Sequence, residues 1–386
     1  MSKIIFTLGS PALGGGTNVI FEHATRMKKE GEDVYIVTND KVSEEEYAWH
    51  PLAYTLKWVT YDEIKDKKFD MAIATWWRTV YELYRINSDR YVYFVQSIES
   101  KFYPEEETGL RILAELTYML DMKVVTEATW IKEYLENYGV NAYLVHNGIR
   151  KDIFKLNGDV YDKNEGLRVL VEGPIDVDFK NVPKTIDLVK RSKADEVWLL
   201  TSSKIDSYEG VDRVFSKVPP AECSKIYRSC DVIVKLSYVE GMFGPPLEMF
   251  HCGGTAIVYD VTGHDEYIEH NKNGLVVKTD DEEQVIEYIN KLKNKKLLNK
   301  LKKSAIKTAS EWVSWEQSSA KFYDTIKKLN KMDSVSQKAI EARSKFFFDL
   351  YVKYETKNVS LKKQIGNLLR EKFPKIYNIY RKIIKK

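Results

Sequence analysis

The chain has 386 residues, of which 44% are hydrophobic and 12% aromatic, enough for two or three domains with cores of their own. A net charge of only +3 excludes the strongly basic profile of a nucleic-acid binder. Three scattered cysteines, Cys223, Cys230 and Cys252, form no Cys-x-x-Cys pair and no even disulfide framework, which points to a reducing compartment.

From the N-terminus, strand patterns fall at 3–8, 33–38, 56–60, 70–75, 90–95, 123–126 and 142–146. Helical patterns lie between several of them, as at 18–30 and 129–138. This alternation predicts an α/β, doubly wound parallel sheet. A polar, poorly patterned stretch at 150–166 reads as a linker. A second series of strands follows at 167–172, 195–200, 211–215, 231–236, 255–259 and 274–277, with helices at 183–191 and 220–229. Beyond residue 280 the chain turns helical and lysine-rich. The expected division is an N-terminal Rossmann-like domain at 1–155, a second one at 156–315, helices at 316–355 that return to the first domain, and a basic amphipathic tail at 356–386. Two such domains facing each other would form a cleft, because ligands of these sheets bind at the C-terminal ends of the strands. The first residues read as a strand rather than a leader. No apolar run approaches the roughly 18–20 residues of a membrane span. The expected location is cytoplasmic.

The most informative segment is Glu240-Gly-Met-Phe-Gly-Pro-Pro-Leu-Glu248, between a strand and a short helix. Its two carboxylates would reach one cleft from a loop and from the first turns of a helix. The prolines suit a helix start. Gly241 and Gly244 leave backbone N–H groups open to an anion beside that helix. Carboxylates accept hydrogen bonds from sugar hydroxyls and amides bind phosphate, so the parts suit a sugar nucleotide. The plainer alternative is a solvated Glu240 and a Glu248 that only favours the helix dipole.

The first strand runs into Gly14, Gly15 and Gly16 ahead of a helix, where the backbone could approach a phosphate; a flexible turn is the alternative. The loop is neither a GxGxxG fingerprint nor a Walker A motif. Asn147-Gly148 favours a tight turn. Lys180, after the first strand of the second series, is placed to meet a diphosphate as a mobile charge, unless it is an ordinary surface lysine. Asp176-Val-Asp178 has the spacing of a metal-holding pair, but the adjacent Lys180 would repel the ion, so no metal site is expected. His23 could face the cleft, with an exposed helix position as the plainer reading, and Trp76 and Trp77 could stack on an acceptor sugar, with core packing as the plainer reading.

In this order, the glycine loop, the Asn-Gly turn, the post-strand lysine and Glu-x7-Glu resemble the retaining glycosyltransferases of family 4 over roughly residues 1–330. Thr262-Gly-His-Asp-Glu266 and the following Asn273-Gly274 resemble a further segment of that family. Tyr93-Phe-Val-Gln-Ser-Ile-Glu-Ser-Lys-Phe-Tyr-Pro104 is similar to a subgroup that includes bacterial rhamnosyltransferases. The resemblance implies a GT-B fold and transfer of a sugar from a nucleoside diphosphate donor to a glycan or lipid-linked glycan at the bacterial surface, with rhamnose as first candidate. It implies no cofactor and no metal. By the same resemblance, Glu240 would face the donor sugar and Glu248 would bind the ribose. The amides of Gly241, Met242, Phe243 and Gly244 would hold sugar hydroxyls or phosphate, while Lys180, Gly15 and Gly16 would meet the diphosphate. The family's Gly-Arg is replaced by Gly173-Pro174. Lys235 is the candidate to supply the missing cation, with an ordinary strand-end lysine as the equal alternative. That departure keeps open a non-catalytic glycan-binding subunit, and an epimerase on the same fold is the other alternative.

Residues 357–386 carry ten Lys or Arg and one acid, interleaved with apolar side chains. Such a segment suits an anionic membrane surface, which would place the protein peripherally on the inner face of the plasma membrane; a merely solvated tail is the alternative.

Overall fold

A computed structural model describes residues 1–162 and 165–358, with side chains to 355. The tail at 356–386 therefore lies outside the described residues except for the last helical turn of its backbone. Among the described residues two parallel sheets dominate, one of seven strands and one of six.

The first comprises β1 (Lys3–Thr7), β2 (Asp33–Thr38), β3 (Lys57–Thr60), β4 (Met71–Ala74), β5 (Tyr91–Val95), β6 (Lys123–Thr126) and β7 (Tyr143–Leu144). Their spatial order is β3-β2-β1-β4-β5-β6-β7. The second comprises β8 (Arg168–Glu172), β9 (Glu196–Thr201), β10 (Arg213–Ser216), β11 (Val232–Lys235), β12 (Thr255–Tyr259) and β13 (Leu275–Val277). Its order is β10-β9-β8-β11-β12-β13. Both are doubly wound, as the alternation predicts. Central strands such as β5 and β12 are buried along their whole length, because helices cover both faces. Each sheet reverses its winding beside its first strand, between β1 and β4 and between β8 and β11. A crevice opens at such a switch point, outside the carboxyl ends of the strands.

Helices α1 (Gly15–Lys29), α2 (Thr108–Leu116) and α3 (Thr129–Glu136) belong to the first sheet. Helices α4 (Val182–Lys190), α5 (Pro220–Ser229), α6 (Gly244–His251), α7 (Glu282–Lys291) and α8 (Lys295–Glu311) belong to the second. The chain then returns to the first sheet. Helix α9 (Trp315–Leu329) places Trp315, Phe322, Ile326 and Leu329 in one core with Phe6, Phe21 and Phe94. Helix α10 (Gln337–Asn358) adds Ile340 and Phe347 to the core on the opposite face.

This return corrects the reading of His23. Its ring is fully buried, stacked on Phe322 at 4.1 Å, and its Nδ1 lies 3.0 Å from Ser319 Oγ. The sequence of α1 alone cannot show that a helix nearly three hundred residues later covers this face. Burial holds the imidazole neutral, with its pKa lowered to about 3.

The two crossings between the sheets run side by side. Ile149 N–H donates to Val313 O at 3.2 Å, and Trp312 Nε1 to Asn147 O at 2.9 Å. A β-carbon on Gly148 would lie 2.3 Å from Trp315 N, so the Asn-Gly turn is also a close backbone approach.

Phe322→Ala is expected to cost about 3–5 kcal/mol in urea unfolding, because the ring fills the contact between α9 and the first sheet. A loss below roughly 1 kcal/mol would show that α9 is only peripherally attached.

Candidate functional site

The site forms where the two switch points face each other. On the second domain, β11 ends at Lys235 and the chain turns through Glu240 into α6. Glu240 is 6% exposed, so its carboxylate needs a cation at hand. Lys180 Nζ lies 2.8 Å from Oε2, and Lys235 Nζ lies 3.8 Å from Oε1. Burial pushes the Glu240 carboxyl up, but Lys180 and Lys235 outweigh it and hold the group below the usual carboxylate range. Oε1 accepts no hydrogen bond among the described residues. Lys180 itself is half-buried, on a short turn after β8, so its ammonium can reach the cleft.

Lys235 differs from its expected role as a free second cation. It is 3% exposed, and its Nζ donates to Glu172 Oε2 at 2.5 Å and to Glu172 O at 3.1 Å. Burial alone would lower its pKa, but Glu172 and Glu240 raise it, so it stays charged. Its charge is largely used within the protein, to hold two carboxylates. Glu172 thus belongs to the site as well. A glutamate ending a strand just before Gly173-Pro174 was the available signal.

Glu248 lies half-buried on α6, one turn into the helix. Burial, and then the nearby charge of Glu172, push its carboxyl up to about 7, opposed by a Tyr227 hydrogen bond and by Lys235. The helix starts at Gly244, where a β-carbon would meet nothing within 4 Å.

On the first domain, Gly14 caps α1 and Gly15 and Gly16 form its first turn. Gly15 borders open space. Gln96, just past β5, stands between the two glycine segments. Its Oε1 would lie 3.3 Å from a β-carbon on Gly16, and its backbone O 2.2 Å from one on Gly241. Met242 N–H donates to Glu127 Oε1 at 3.1 Å and Trp130 Nε1 to Gly241 O at 3.0 Å. Phe102 stacks on Phe179 at 4.8 Å, beside Lys180. Across the same cleft, Glu266 Oε2 lies 3.0 Å from His146 Nε2 and accepts from Thr129 Oγ1 at 3.0 Å, at the N-terminus of α3. A carboxylate is favoured at a helix N-terminus. Burial raises the Glu266 pKa, yet His146 and Thr129 bring it below the ordinary value.

The structure therefore brings Lys180, Lys235, Glu240 and Gly241 together, with Gly16 facing Gly241 across Gln96. Glu248 sits beside them, against Glu172 and Tyr227. Sequence reasoning missed Glu172, Gln96, Glu127, Trp130 and Glu266 as contributors. Gln96 and Glu266 stand inside segments singled out above, but nothing in their spacing shows that they meet the opposite domain. Asp176 Oδ1 accepts from Ser203 Oγ. Among the described residues no three His, Cys, Asp or Glu side chains converge as a metal site would require. Nor, among them, is any helix long and apolar enough to cross a membrane.

Residues 204–312, within the second domain, match the family model described as glycosyl transferases group 1. The chain is similar to an uncharacterised glycosyltransferase of Methanocaldococcus jannaschii, 24% identical over 212 residues, which cover 50% of this chain and 56% of that protein. The match thus spans little more than half the length of the curated relative. Sucrose-phosphate synthase of Thermosynechococcus elongatus superposes with a TM-score of 0.69 at 15% identity, over 85% of this chain and 99% of that one. Anabaena HepE, in complex with UDP and glucose, superposes with a TM-score of 0.67 at 12% identity, over 85% of this chain and 100% of that one. At these identities the likeness shows the fold, which is GT-B: two Rossmann-like domains facing a cleft.

The raised Glu248 carboxyl sets a pH dependence. The folded chain keeps this proton between the unfolded value of 4.5 and about 7, where the unfolded chain has lost it. The group's stabilisation is full below the lower value and is lost as pH rises through the upper one. Glu248→Gln cannot ionise. It is expected to melt roughly 2–4 °C above the wild type at pH 8 and close to it at pH 4. Calorimetric shifts of equal size at both pH values would contradict this.

Proposed function

We propose that the chain is a retaining, metal-independent glycosyltransferase that moves a sugar from a nucleoside diphosphate donor to a glycan or lipid-linked glycan of the bacterial surface. The observation that carries the reading is the buried Glu240 paired with the half-buried Lys180 at the switch point of the second domain, facing the α1 glycine turn. The glycosyl transferases group 1 match over 204–312 supports the reaction class. A donor of this type is supported by fold neighbours described with UDP and with UDP-glucose.

In this reading the diphosphate lies between the N-termini of α1 and α6, where unpaired N–H groups favour negative charge. Lys180 turns from Glu240 toward the leaving phosphate and neutralises the charge that develops as the glycosidic bond breaks. Glu240 and the amides of Gly241 to Gly244 hold the sugar, and Glu248 takes the ribose hydroxyls. The acceptor approaches from the first domain. Closure around Gly241 excludes water and so limits donor hydrolysis. Rhamnose is the first candidate sugar, on the similarity of the segment 93–104. The basic tail, with the cytoplasmic location expected above, would hold the enzyme at an anionic inner membrane surface.

UDP-, GDP- and dTDP-sugars, each with and without lipid-linked acceptor, test the reaction through nucleoside diphosphate release. One donor is expected to be cleaved faster with acceptor. Glu240→Ala should reduce that rate at least a hundredfold with the fold retained, and Glu248→Ala should mainly raise the donor KM. Wild-type rates in both variants would refute the assignment. Cleavage with no acceptor dependence would favour donor conversion over transfer. For the tail, deletion of 357–386 is expected to weaken binding to phosphatidylserine-containing liposomes; unchanged sedimentation would remove the membrane role.

A further inference from the structure

The Lys180–Glu240 pair accounts for the second domain's share of the site. The first domain adds a buried acid with no role so far. Glu127 directly follows β6, at the carboxyl edge of the first sheet, and is 5% exposed. One oxygen, Oε1, accepts the Met242 N–H at 3.1 Å across the cleft. Asn147 adds a side-chain hydrogen bond to the carboxylate, yet Oε2 has no hydrogen-bond partner among the described residues. Met242 stands two residues after Glu240, so the bond that crosses the cleft also fixes the loop that aims Glu240.

We propose that Glu127 belongs to the transfer site: one oxygen locks the Gly241–Met242 loop, and the other accepts a hydroxyl of the sugar being transferred. This rests on the donor reading above.

The chemistry of the pocket selects this ligand. A buried carboxylate with a vacant acceptor is costly unless something donates to it. A diphosphate is negative and donates nothing. A sugar hydroxyl donates, and its bond to a carboxylate is charge-assisted. The surroundings are neutral or acceptor-rich. Gln96 O packs on Gly241, and Gln96 Oε1 is itself without a partner. Burial pushes the Glu127 carboxyl up to about 7, against hydrogen bonds from Asn147 and Met242. The acid is thus held by two hydrogen bonds, with no cation paired to it among the described residues. Because the Met242 bond exists only when the domains are together, sugar recognition by Glu127 is coupled to closure.

Glu127→Gln separates a sugar contact from a loop anchor. The amide oxygen can still accept Met242 N–H, while the NH2 group replaces the vacant acceptor by a donor. The full chain would be titrated by calorimetry with UDP and UDP-glucose, GDP and GDP-mannose, and dTDP and dTDP-rhamnose. For the pair that the wild type binds, the variant is expected to keep its nucleoside diphosphate affinity within about twofold and to lose roughly tenfold for the nucleotide sugar. Unchanged nucleotide-sugar affinity, or equal losses for both ligands, would overturn the Glu127 assignment and leave the donor reading standing. Absence of binding by the wild type to every probe would overturn the donor reading and the proposal with it.

Discussion

A carboxylate buried as deeply as Glu240 must be matched by positive charge, and the second domain's cleft is arranged around that need. Lys180 meets it from the loop after β8, and Lys235 from the end of β11. Lys235 is too deeply buried to stand alone, so Glu172 takes it as a partner. The result is a chain of alternating charges across the switch point. Its exposed end is Lys180, the member able to exchange partners with an incoming anion. Removing one member would leave its neighbour uncompensated, which in a buried site costs more than the pair contributes when intact.

The second constraint is steric. Gly241 packs against Gln96 O and Gly263 lies against Gly241 O, so this loop is clamped between the domains with no room for a side chain. Glu127 and Trp130 then bond to its backbone from the first domain. The loop that carries Glu240 is thereby held by both halves of the molecule. That arrangement is suited to chemistry that must exclude water. The paired crossings at 149 and 313 restrain where the halves meet, and α9 ties the far end of the chain back to the first sheet.

Much of this was legible in the chain. The alternation of apolar runs and amphipathic helices announces two doubly wound sheets, because parallel strands buried on both faces need continuous apolar sequence. Glu240, Glu248 and Lys180 stand out through local spacing beside glycines and prolines. Lys235 shows the limit. Its position was readable, but its partner Glu172 lies sixty-three residues earlier, and only the β8–β11 pairing makes them neighbours. His23 fails for the same reason, since the ring that covers it comes from α9.

The sequence by itself determined the class of fold and the acid and cation types offered at the strand ends. These are local matters of periodicity, turn chemistry and charge. Only the tertiary structure decided which charges are already spent, which remain free, and which first-domain groups reach the loop that follows Glu240. Glu127, Gln96 and Glu266 act across the cleft, and contacts between domains depend on sheet order and closure, which no local spacing records.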